Sequence, residues 1–259
     1  MLGCCTDIRN VLGLIQEMYN FFNSHRRHAV LIRFQNTEAH KRTLKRVSDT
    51  TRSWRSAEDG VTTLIECFDT ISKALECFEN DRNSDTSTVS LASGLLRRFD
   101  FHLIVSLHIL KFVFRIAGPV SRIMQGVSVE FAMAVTSIES CLAQFNDAVN
   151  KCDEQWEQIL KEAKDFAELH AVESTFPVKR QRKPKKMSDE LASDESIQDP
   201  ERRMKTTVFR CVVDNIYVQL QERFQTEDLA MLRSMKFFTP ACLTSTINII
   251  DDDIKDVCV

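Results

Sequence analysis

Few residues of this chain could do chemistry, and most of them stand at spacings that do not suit it. His25 and His28 flank Arg26 and Arg27. Two metal-binding histidines on one helix face are four apart, not three, and the nearest other histidine is His40, so these four side chains read as surface decoration. His102 and His108 lie six apart in an apolar stretch and point to different helix faces, as core-edge histidines with local hydrogen-bond partners. Asp251, Asp252 and Asp253 would chelate calcium only with a glycine and a bidentate glutamate at loop spacing, and neither follows, which leaves a solvated tail. The nine cysteines form no CxxC pair and read as reduced thiols, mostly core fillers, of an intracellular protein. The sequence carries no glycine-rich phosphate loop, nucleophile elbow or supported Cys–His pair. No cofactor, metal or small-molecule substrate is expected.

One charge cluster stands out. Lys179, Arg180, Arg182, Lys183, Lys185 and Lys186 place six positive charges within eight residues, beside Pro184. Such a run suits a nuclear import receptor or phosphate contacts; alternatively it is a solvated linker balanced by the acids that follow. The chain as a whole, with 34 Lys and Arg against 37 Asp and Glu, lacks the basic excess that draws a protein onto DNA non-specifically, so any nucleic-acid affinity must be local. The first residues lack the basic start and apolar stretch of a secretory signal. The most apolar segment, 103–120, contains His108, Lys111 and Arg115 and reads as a buried helix rather than a membrane span.

The elements that would hold these residues are helices. Only 6 Gly and 5 Pro interrupt 259 residues, which leaves few breakers to punctuate short strands and favours long helices. Val11, Leu12, Ile15, Met18, Tyr19 and Phe22 recur at helical spacing in an opening helix. A second helix is marked by Val61, Leu64, Ile65, Phe68, Ile71, Leu75 and Phe78, with Ser56 and Asp59 spaced as a capping box and Glu66, Asp69, Lys73 and Glu76 on the wet face. Residues 33–55 read as a loop or broken helix. A polar turn at 80–85 precedes an apolar stretch at 89–117, the expected core, where Gly118 and Pro119 predict a stop and a restart. From Val127 to Ala163 the period continues through so many turns that a single helix would run about 60 Å, so either the body is elongated or the helix breaks. Residues 174–200 form a flexible linker, basic and then acidic. A last block at 202–224 presents Phe209, Val213, Ile216, Tyr217, Leu220 and Phe224 on one face, and a shorter helix runs over 228–237.

The order of four pieces, at 11–22, 44–56, 117–125 and 208–224, with a basic linker before the fourth, resembles hAT-superfamily transposase-like proteins, close to the zinc-finger MYM-type relatives. The resemblance implies an all-α, elongated multi-helix fold like the hAT insertion domain. It divides the chain into 1–55, a residual helix of the RNase H-like part with a connector; 56–173, the helical insertion domain; 174–200, the linker; and 201–259, a C-terminal helical segment. Thr51, Arg52 and Trp54 are similar to the family's Thr-Arg-Trp motif, with Ser53 between Arg52 and Trp54, which makes Arg46, Arg52, Trp54 and Arg55 the candidates for DNA contact. The alternative is that Trp54 packs on the second helix. The family's two-metal chemistry needs an Asp–Asp–Glu set, and the resemblance puts both aspartates before this stretch and the glutamate after it.

The reading is therefore a non-catalytic module that meets DNA or other proteins in the nucleus, or in the cytoplasm if the basic cluster is not read, with no membrane role. Two alternatives stay open: the DNA-positioning part of a longer transposase, and a purely structural interaction protein in which the opening helix exposes an orphaned apolar face.

Overall fold

The computed structural model describes residues 5–35, 44, 53–81, 83–126, 131–176 and 199–234, and every regular element among them is helical. In chain order these are α1 (Thr6–Phe22), α2 (His25–Gln35), α3 (Ser53–Glu66), α4 (Phe68–Glu79), α5 (Thr86–Leu96), α6 (Phe101–Met124), α7 (Phe131–Asn150) and α8 (Cys152–Leu169). The last block is α9 (Pro200–Arg203), a π-helical segment Met204–Arg210, α10 (Cys211–Arg223) and α11 (Thr226–Ser234). The all-α class expected from the scarcity of breakers is what the chain adopts.

The organising element is α6. Asp100 caps it by accepting from the Leu103 amide at 2.9 Å, and from Phe101 to Ile116 only His102, Lys111 and Arg115 escape burial. It is long and apolar enough to cross a membrane, yet 78% of its most apolar window is covered by other helices. The helices α1, α3, α7 and α8 all pack along it. Fully burying one large aliphatic or aromatic side chain contributes about 1.5–3 kcal/mol, so this one helix gathers a large share of the driving force. The predicted stop at Gly118 and Pro119 does not occur. Ile116, Gly118 and Val120 remain buried, while Pro119 and Arg115 face outward, where the carbonyl that loses its amide partner can meet water. Burial outweighs the proline. At Gly118 a Cβ would sit 2.9 Å from Glu58 Oε1 and 3.1 Å from Arg122 Nη1, so the α3–α6 ion pair of Glu58 and Arg122, 2.7 Å long, uses the space a side chain would fill.

Other sequence boundaries shift for similar reasons. Helix α3 begins at Ser53, so Ser56 lies inside it and not at its N-cap; Ala57 and Val61 are buried from the first turns. The single second helix is two, α3 and α4, with Cys67 (φ −108°, ψ 22°) between them. Hydrogen bonds continue across this site, from Cys67 N–H to the Thr63 carbonyl and from Ile71 N–H to the Cys67 carbonyl, both 2.9 Å, so the distortion is a kink. It turns Phe68 into an aromatic cluster with Phe99 and Phe166. The long period after residue 127 breaks at Lys151 (φ −106°, ψ 35°), which lets both α7 and α8 return onto α6.

Helix α8 ends in a Schellman turn: Ala171 has φ 53°, and the Val172 N–H donates to the Ala167 carbonyl at 2.9 Å. The chain then doubles back and Phe176, assigned to the linker by sequence, packs on Phe101 with ring centroids 4.9 Å apart. The opening helix is no orphan. Ile8, Ile15 and Met18 are fully buried, and α1 packs on α2, α3, α5 and α6.

Candidate nucleic-acid interface

The sequence of α2, HRRHAVLIRFQ, holds three arginines, two histidines and no acid. It is helical because its inner stripe is apolar: Leu31 is buried, Val30 and Phe34 pack against the core, and the helix rests on α1 and α4. Of the basic side chains, His25, Arg26 and Arg33 are exposed on the outer face, whereas Arg27 and His28 are half-buried beside the stripe. The Arg27 guanidinium lies 4.7 Å from the centre of the Phe21 ring, and that of Arg33 lies 5.6 Å from the Phe34 ring. A guanidinium laid on an aromatic ring is attracted to its face and keeps its N–H donors directed outward. Arg26 reaches across to Asp81, Nη2 to Oδ2 at 3.3 Å.

Beside the start of α2 lies an open depression of about 330 Å³, bordered by Ser24, Arg26, Arg27, Asp85, Ser87 and Thr88. Asp85 caps α5, accepting from the Thr88 amide at 3.1 Å and from the Ser87 and Thr88 hydroxyls. Those hydrogen bonds, Ser87's first, hold its carboxyl down at about 2. The Asp81 carboxyl is lowered by the Asn83 amide and the Ser84 hydroxyl, with Arg26 adding to them. Both acids are thus held in their charged form by the turn between α4 and α5.

Of the four DNA-contact candidates, Arg46 and Arg52 lie outside the described residues, as do Lys179, Arg180, Arg182, Lys183, Lys185 and Lys186. Trp54 and Arg55 open α3. The Trp54 ring is half-buried and meets Phe114 of α6 edge to face, with centroids 5.5 Å apart at 89°, so the indole is used to seat α3. Arg55, one residue on, is exposed.

His108 is more deeply placed than a core-edge residue. It is buried, with Nδ1 2.8 Å from the Ile104 carbonyl, and burial pushes its pKa below the usual histidine value. His102 sits 3.9 Å from Asp7. A third histidine carries no signal in the sequence. His170 Nδ1 is 2.6 Å from Asp69 Oδ1, with its ring against Phe166 and Phe68, and it ties the end of α8 to the start of α4. No spacing rule links residues 101 apart, so only the fold shows this pair. Among the described residues no group of three or more His, Cys, Asp or Glu is placed to hold a metal ion. Cys5, Cys67 and Cys141 are buried free thiols, and burial raises Cys141 to about 11.

Comparison of the chain with protein-family models, with curated proteins and with solved structures finds no match in any of the three.

Proposed function

We propose that this chain is a non-catalytic helical interaction module of hAT transposase-like descent, acting in the nucleus, with nucleic acid as its partner. The observation that carries the reading is the segregation of charge: residues 25–55 contain nine Lys and Arg against two Asp and Glu, whereas the rest of the chain contains 25 against 35. A local basic excess in a chain of net charge −3 is how a protein with no overall attraction to DNA acquires a site for it. The order of the four sequence pieces supports the transposase-like descent. The family's metal-dependent cutting needs a complete Asp–Asp–Glu set, and none of its members can be assigned here.

The seating of Trp54 on Phe114 favours a packing role for that residue over base stacking. Fluorescence anisotropy with hairpin-ended DNA, together with a cleavage assay in Mg²⁺ or Mn²⁺, tests the function. Salt-sensitive binding without cleavage supports it; metal-dependent cleavage by the purified chain, or no binding at low salt, overturns it.

A further inference from the structure

We infer that the outer face of α2, built by Arg26 and Arg33 with the half-buried Arg27 at its edge, is where the chain meets the phosphate backbone of a nucleic acid. The inference rests on the nucleic-acid reading just proposed and assigns it a surface.

Helix energetics do not account for this face. A helix start is the positive end of the backbone dipole, and each cation placed there costs about 0.3–1 kcal/mol at the surface. The first turn of α2 nevertheless carries His25, Arg26, Arg27 and His28 and no acid. Nor does ion pairing among the described residues account for it. Asp81 engages Arg26, while Arg27 and Arg33 meet phenylalanine rings and no carboxylate within ion-pair distance among the described residues. A polyanion is the partner that turns an unfavourable arrangement into a favourable one.

The surroundings select a long partner over a small one. Asp85 borders the depression at the start of α2 and stays ionised to about pH 2, so a free phosphate seated there would face a fixed negative charge. A polymer lying along the outside of the helix avoids it. Arg26 and Arg33 are seven residues apart, about 10 Å along the axis. Duplex DNA carries one charge per ~1.7 Å of its axis, which is dense enough for the arginines to engage phosphates together. With Arg27 and Arg33 already laid on their rings, little rotamer freedom remains to be lost on binding.

The test uses the full chain and a labelled duplex of about 20 base pairs, titrated with KCl, since affinity falls with log salt in proportion to the phosphates engaged. Four proteins are compared: wild type, R26Q/R27Q/R33Q, R26K/R27K/R33K, and R202Q/R203Q/R223Q. The last removes the same charge from exposed arginines of α9 and α10. The expected result is a loss of about tenfold or more in affinity for the α2 glutamine triple, and a salt slope shallower by about 2–3. The lysine triple keeps the wild-type salt slope and binds between wild type and the glutamine triple, because its charge is kept and the ring-stacked pre-organisation is lost, and the α9–α10 triple changes little. Equal losses in the two glutamine triples overturn the assigned surface and leave the nucleic-acid reading standing, whereas no binding by wild type at low salt overturns both. Displacement by polyglutamate as effective as by unlabelled duplex overturns nucleic acid as the partner. Far-UV circular dichroism checks folding, and if the α2 triple unfolds, Arg33→Gln alone serves, with an expected slope change of about 0.9.

Discussion

Helices α2 and α8 follow the same packing rule and carry opposite charge. Each buries one stripe, α2 through Leu31 with Val30 and Phe34, and α8 through Trp156, Ile159, Leu160, Ala163 and Ala167. Outside that stripe α8 has six acids and two lysines, and Asp153 and Glu154 stand in its first turn, where the helix dipole favours them. Its charge pattern is what a surface helix adopts for its own stability. The pattern of α2 is the reverse at the corresponding end. Buried stripes state what a helix packs against, and an outer face matters for function when its charges work against the helix that carries them.

The largest effects should come from the stripes. Trp156→Ala should cost about 3–5 kcal/mol and Leu31→Ala about 2–5 kcal/mol in urea unfolding, because these side chains are 2% and 1% exposed. A neutral result at either would show that the helix concerned is not held by its inner face. Next comes the end of α8. Ala171 holds a positive φ that costs a non-glycine residue about 1–2 kcal/mol, part of which glycine's greater unfolded-state freedom offsets. Ala171→Gly should therefore stabilise by about 0.5–1 kcal/mol, read as a higher urea midpoint; a lower midpoint would mean that the turn is not strained.

A smaller effect concerns His108, whose ring meets Phe166 of α8. Its pKa is lowered in the folded state, first by burial, so below about pH 6.5 the unfolded chain binds the proton more readily. The contribution to stability is whole above that pH and is lost as pH falls through it. His108→Leu should flatten the fall in urea midpoint between about pH 7.5 and 5.5, and an unchanged fall would place its cause elsewhere. The smallest effect sharpens the charge comparison. Glu157→Gln with Glu168→Gln removes two exposed acids from α8, and duplex affinity should change by less than about twofold. A larger rise would show that net charge, not the α2 face, governs binding.

The stripes themselves were legible in the sequence, because burial follows the helical period whatever a helix packs against. The breaks were not. The period runs on through Cys67 and Lys151, where the axis turns only because distant partners require it, and Pro119 announced a stop that the burial of Ile116, Gly118 and Val120 overrode. One missed feature did leave a signal. Met204, Val208, Val212, Ile216 and Leu220 are all buried and stand four apart. At 3.6 residues per turn that spacing drifts about 40° at each step, and the wider turn of the π-helical segment Met204–Arg210 takes up the drift at the start of the run, from Met204 to Val208. At the candidate interface the arginines of α2 were visible as residue types. Their phenylalanine supports, like the Phe114 seat of Trp54, follow from the fold.

The π-helical turn also fixes when the molecule can be finished. The Thr207 hydroxyl donates to the Arg203 carbonyl at 2.8 Å, and the Thr207 carbonyl accepts from the Cys5 thiol, 3.7 Å away at the start of α1 and 202 positions earlier in the chain. On a ribosome adding about 5–20 residues per second, the first of these groups is made about 10–40 s before the second. For that interval the Cys5 thiol lacks its Thr207 partner, and a chain released or stalled before residue 207 would leave the entry to α1 without that tie.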